Sequence, residues 1–300
     1  MRATKPLAFL LALGALAATG TSAASSPPPT DRSVKLDLIA KLKRGPEILI
    51  LGDSRGRQAE PSLLQQLTGH TGFNAAVTGG SAPDAWVFTR YTADRFPGQK
   101  RRYIWFVSAG LTTNIADPRM WADPRGRRYL QEVAPYLSAQ TVNPPWATDT
   151  RYRPDGSLPG EQSPPTARRV QEVKAEAARS VAQIRAHPPS APPFDASRYQ
   201  LFEHLLAYLN SRGERPVIVF NPVYPTVLAE LVKYGNPLAT QSLDYLRSLQ
   251  TRYGFVVVDC EDIHTWGGTD TDWTNSTHVD RANMRRMLRY VVAHSDGALS

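Results

Sequence analysis

Apolar positions along this chain gather in short continuous runs, separated by longer stretches in which they recur at helical spacing. The runs are residues 48–51 (ILIL), 73–77 (FNAAV), 103–107 (YIWFV), 216–220 (PVIVF) and 255–258 (FVVV). Runs with no polar alternation predict strands covered on both faces, as in parallel sheets. Helical spacing follows most of them. Leu63, Leu64 and Leu67 share one face after the first run. Trp86, Val87 and Tyr91 share another behind a Ser81/Asp84 helix start. Further helices are predicted over 197–211, with Leu201, Phe202, Leu205, Leu206 and Leu209 inward, and over 226–234 and 241–253. The last spans 281–294, with Met284, Met287, Leu288, Val291 and Val292 inward. Strand-helix alternation predicts an α/β domain, a doubly wound parallel sheet of about five strands with helices on both faces, over residues 46–296.

The alternation fails over residues 116–197, where prolines are dense. One helix is predicted inside this insertion, from 166 to 185, with Val170, Val173, Ala177, Val181 and Ile184 on one face. Insertions of this length in a compact domain are either functional loops, such as lids, or solvated segments with no part in chemistry. If it is a lid, Trp121 or Trp146 is expected to line the groove it covers. Residues 25–45 read as a proline-rich linker followed by a short helix.

The first 24 residues read as a secretory signal peptide: Arg2 and Lys5, an apolar run over 7–18, then Thr21-Ser22-Ala23-Ala24. The apolar run is shorter than the ~20 residues of a membrane span. The expectation is an exported, secreted or cell-envelope protein with no stable span after cleavage. Cys260 is the only cysteine of the 300 residues, so no internal disulfide is available, and a packed role is expected for it. The formal net charge is +8, but the basic residues are scattered in pairs and triplets. That argues against nucleic-acid binding and is compatible with attraction to anionic surface polymers.

Candidate chemistry lies at two ends of the pattern. Gly52-Asp53-Ser54 closes the first predicted strand and precedes a helix, where a serine hydroxyl points out of the sheet beside unpaired N–H groups. Ser54 there is either a nucleophile or a helix cap. The loop before the last helix reads DWTNSTHVDRAN and holds His278, which could activate the serine as general base. His264 and its neighbouring acids lack a trustworthy metal-ligand spacing, so no metal is expected.

The Gly52-Asp53-Ser54 turn, the segment from Asn74 to Gly79 and the terminal His278 resemble the SGNH/GDSL hydrolase superfamily. The resemblance implies a flavodoxin-like fold and ester hydrolysis or acyl transfer without a cofactor. It makes Ser54 the nucleophile and His278 its base. It places the oxyanion hole at the Ser54 N–H and Gly79, or Gly80 if the turn is offset by one. The family's third block is Gly-X-Asn-Asp; here it reads Gly110-Leu111-Thr112-Thr113-Asn114, so Asn114 is the displaced candidate donor. The family's carboxylate sits three residues before the histidine, where this chain has Asn275. Asp272, then Asp280 or Asp262, could supply the missing charge if the loop folds back. The chain is most similar in character to secreted members that act on polysaccharide acyl groups. The expected activity is an esterase or O-acyltransferase on an acylated carbohydrate or cell-envelope polymer. The alternatives are a carbohydrate-binding or envelope-assembly protein that keeps the fold without the chemistry.

Overall fold

The computed structural model describes residues 29–109, 114–138, 151–159 and 165–300. The leader reading and Trp146 lie outside them. Five parallel strands form one sheet: β1 (Ile48–Gly52), β2 (Gly72–Asn74), β3 (Arg102–Val107), β4 (Val217–Phe220) and β5 (Val256–Asp259), in the order β2-β1-β3-β4-β5. Register runs from Ile48 beside Gly72 and Arg102 to Phe220 beside Asp259. This is the flavodoxin-like order, in which the direction of winding reverses between β1 and β3 and opens a crevice at their carboxyl ends.

Alternate residues of each strand face opposite layers. Leu49, Leu51, Tyr103, Trp105, Ile218 and Phe220 lie under α1 (Asp31–Lys41), α3 (Ala82–Arg95), α7 (Gln200–Ser211) and α9 (Pro237–Tyr253). Ile48, Ile50, Ile104, Phe106, Val217 and Val219 lie under α2 (Pro61–Thr68), α6 (Ala167–Ala186) and α10 (Arg281–Ala293), and Val227 of α8 (Pro225–Val232) packs against the same cluster. Every residue of β1 and β4 is buried, so these strands read as unbroken apolar runs.

Three boundaries differ from the sequence expectation. β2 ends at Asn74; Ala75 to Val77 are buried beyond it, with the Ala75 and Val77 N–H groups still donating to the Ile50 and Gly52 carbonyls of β1. The first helix is not an appendage to the domain. Leu36 and Ile39 of α1 are fully buried in the core, and so are the charged Asp31, Arg32 and Lys35. The 116–197 stretch also holds more regular structure than its prolines suggested. Asp117 and Asp123 cap α4 (Pro118–Ala122) and α5 (Pro124–Glu132), with proline in each first turn, where its missing N–H costs nothing.

Candidate active site

The turn that carries Ser54 is built by close backbone packing. Gly52 has φ +131°, and a Cβ there would run into the Phe106 carbonyl and side chain on β3. Only glycine combines that dihedral with that approach. Asp53 follows and caps a 3-10 turn over Ser54–Gln58, its carboxylate accepting from the Arg55 N–H at 2.9 Å. The other carboxylate oxygen accepts from the Ser108 hydroxyl at 2.9 Å, and the Asn221 amide donates to the Ser108 oxygen at 3.1 Å. The ends of β3 and β4 thus fix the turn after β1, at the crevice.

The second loop is clamped to the first by one side chain. Asn74 is fully buried; its amide nitrogen donates to the carbonyls of Gly56 at 3.0 Å and Ala59 at 2.7 Å. Its oxygen accepts from the Ala76 N–H at 3.0 Å. From below, Lys35 donates to the carbonyls of Asn74 at 2.9 Å and Ala76 at 2.5 Å, and Asp31 accepts from the Thr78 N–H at 2.8 Å. Burial, reinforced by the Arg57 guanidinium, pushes the Lys35 ammonium well below its usual range. Arg32 lies between Asp31, Asp84 and Asp117, at 3.2, 2.7 and 3.2 Å. Burial alone would weaken its charge; the carboxylates, Asp84 foremost, outweigh that. Gly80 abuts the Gly52 carbonyl so closely that any Cβ would collide, which holds the two loops together. Gly79, at φ +61°, faces the resulting cavity. Among the described residues, the Ser54 and Gly79 N–H groups take no backbone acceptor.

The histidine arrives on a short hairpin. Trp273, fully buried, bridges to Val279, and its ring meets Tyr224 edge-on at 5.2 Å. The Thr274 N–H donates to the His278 carbonyl at 2.8 Å, and the Asp280 N–H to the Asp272 carbonyl at 3.0 Å. At the tip, the Asn275 oxygen accepts from the N–H groups of Thr277 and His278 and from His278 Nδ1, all at 2.9 Å. Backbone donors on that oxygen fix the amide's orientation, so Nδ1 carries the imidazole proton. Nε2 is therefore the free lone pair, and it lies 2.7 Å from the Ser54 hydroxyl, which donates to it. Burial first, then Arg55 and Arg57, lower the His278 pKa; Asp53 and Glu176 act the other way. The imidazole is thus neutral, the form that can accept a proton, at neutral pH.

Several expectations about this site need correction. Asp272 does not turn toward the imidazole. Its carboxylate goes to Arg286 at 2.6 Å on α10; burial opposes its charge, but Arg286 and the threonine hydroxyls keep the carboxyl below its ordinary range. Asp280 caps α10 through the Ala282 and Asn283 N–H groups. Asp262 caps the turn over Ile263–Trp266. Asn114 is buried away from the cavity, its amide donating to the Ser197 carbonyl at 2.9 Å, so it is no oxyanion donor in this structure. Trp121 packs against the core rather than lining the cavity. Cys260 is buried, and burial pushes its thiol pKa up, as suits a packed side chain. Among the described residues no cluster of three metal-ligating side chains occurs.

The cavity, about 590 Å³, is also lined by residues the sequence did not single out: Arg55, Arg57, Gln58, Leu158, Thr274 and Thr277. Arg55 and Arg57 were visible in the SRGRQ turn, one and three residues past the serine. Leu158 and Glu176 come from the insertion. Glu176 on α6 accepts from the Ser276 N–H at 3.0 Å and so braces the hairpin tip from outside. No family model matches this chain, and no curated protein matches it.

Proposed function

We propose that this protein is a serine esterase or O-acyltransferase of SGNH type, exported to the cell envelope or beyond, acting on acyl groups of a carbohydrate or envelope polymer. The observation that carries the reading is the 2.7 Å contact between Ser54 Oγ and a His278 Nε2 whose tautomer Asn275 fixes. A serine hydroxyl needs such a base to become a nucleophile. Ser54 Oγ attacks the ester carbonyl carbon while Nε2 takes the hydroxyl proton. The Ser54 and Gly79 N–H groups receive the carbonyl oxygen as it gains charge. The carbon–oxygen bond to the leaving alcohol then breaks, and the imidazolium returns its proton to that oxygen. Water or an acceptor hydroxyl attacks the acyl-serine next, giving its proton to Nε2; Ser54 leaves with that proton. Hydrolysis and transfer differ only in this second nucleophile.

Labelling with a serine-directed phosphonate, followed by peptide mass spectrometry, tests the reading. An adduct on Ser54 that is lost in His278→Ala supports it. A second reading, a binding protein with the same fold, is favoured by Asn275 in the acid's place and by Asn114's absence from the cavity. A folded protein that takes no label, turns over no acyl ester and still retains a polysaccharide would establish that reading instead.

A further inference from the structure

The cavity wall carries two guanidiniums, Arg55 and Arg57, against one carboxylate, Asp53. Asp53 is already engaged by the Ser108 hydroxyl and the Arg55 N–H, and it lies 3.7 Å from the Arg55 guanidinium. Arg55 also donates from Nε to the Thr277 carbonyl at 3.4 Å and contacts the Ser108 hydroxyl. Arg57 is different. Among the described residues its guanidinium makes one hydrogen bond, from Nη1 to the neutral Thr78 hydroxyl at 3.0 Å, and its Nε is buried without an acceptor. The Tyr152 ring lies 5.8 Å from the Arg57 guanidinium and 4.5 Å from Lys35 Nζ. Among the described residues no carboxylate pairs with Arg57. Arg57 lines the cavity with its charge met only by a neutral hydroxyl, so a carboxylate bound there supplies the charge partner it lacks. A planar fork held beside an aromatic ring suits a carboxylate bidentately.

Resting on the esterase reading, we propose that Arg57, with Arg55 at its side, forms an anion subsite, so that the preferred substrate carries a carboxylate close to the scissile ester. The anion occupies the Gly79–Thr78 side of the cavity, next to the oxyanion donors. Its charge offsets the two arginines that depress the His278 imidazolium, while Asp53 and Glu176 continue to favour it. Substrate binding therefore raises the basicity of the base that must accept the Ser54 proton.

The carboxylate can belong to the acyl group or to the alcohol, and paired esters separate the two. 4-Nitrophenyl hydrogen succinate against 4-nitrophenyl butyrate tests the acyl side. Acetylated methyl glucuronide against acetylated methyl glucoside tests the alcohol side. In one pair at least, the full-length protein should favour the anionic member by about tenfold or more in kcat/KM at low salt. The advantage should shrink as sodium chloride rises. Arg57→Gln should remove most of that ratio, and Arg57→Lys should keep part of it; Arg128→Gln, remote from the cavity, should keep all of it. With the anionic ester, the acid limb of kcat should lie at higher pH than that of kcat/KM, and the gap should close in Arg57→Gln. Turnover of all four esters with ratios near one overturns the subsite and leaves the esterase reading intact. Binding of the same esters to Ser54→Ala by calorimetry covers the remaining case. If the wild type turns over none, a tighter anionic member there keeps the subsite while the esterase reading falls, and equal affinities overturn the subsite as well.

Discussion

The two halves of the serine–histidine pair are held by opposite means. The serine half is locked from beneath by buried polar and ionic groups: Arg32 among three aspartates, Lys35 on two carbonyls, Asn74 across two loops. The histidine half sits on a hairpin anchored by one buried tryptophan, and its tip relies on an amide and on a glutamate from another element. Geometry in the first half is bought with stability; in the second it depends on a few polar contacts near solvent. The difference teaches that substitutions on one side should show up as unfolding, and on the other as altered catalysis.

The sharpest way to break the comparison is Arg32→Met. Removing one partner from a buried ionic cluster strands the others, and the expected loss is ~3–5 kcal/mol of stability, read by denaturant unfolding. A loss of activity without loss of stability there would erase the distinction. Next comes Asn275→Ala, which frees the imidazole to take the wrong tautomer. Its kcat should fall by about 10²–10⁴ while unfolding shifts little.

A smaller effect is expected at Glu176. Burial, then the two arginines, hold the His278 imidazolium below the ordinary histidine range. The neutral base is therefore retained as pH falls below neutrality, and the acid limb of kcat/KM should lie lower than an ordinary histidine would give. Glu176→Gln removes a charge that favours the imidazolium, so the acid limb should move further down. The plateau should drop a few-fold, because the imidazolium formed during attack loses support. An upward move of the limb would contradict the placement of that carboxylate. Smallest of all is Asp272→Asn. Its carboxylate serves Arg286, so kcat should change by less than about threefold, with under about 1 kcal/mol of stability lost. A collapse in kcat would restore Asp272 as the partner of His278.

Much of this was legible in the sequence, and where it failed the reason is physical. β1, β3, β4 and β5 announce themselves within a residue or so, since strands buried on both faces leave no polar gap. Ser54 and His278 are readable because each follows from a strand or helix boundary. α1 was placed outside the domain because its buried face includes Asp31, Arg32 and Lys35, and charge there hides the apolar period. Asp272 and Asn275 stand in one loop, and sequence gives their proximity to His278 but not their direction; the hairpin bridge decides that. Glu176 gave no signal, because nothing in its helix tells which neighbour that face will meet.

The hairpin that carries His278 has a consequence for engineering. Its stem is closed at both ends by the scaffold: Trp273 in the core on one side, Asp280 capping α10 on the other. Residues 274–278, inside the bridge between Trp273 and the buried Val279, can be treated as a replaceable cassette. A library confined to that stretch would sample new base geometries and new leaving-group walls while the buried anchors stay untouched. The Ser54 turn offers no such freedom, since Gly52 and Gly80 are pressed against backbone on the neighbouring strand and loop. New specificities on this scaffold are therefore reached from the histidine side.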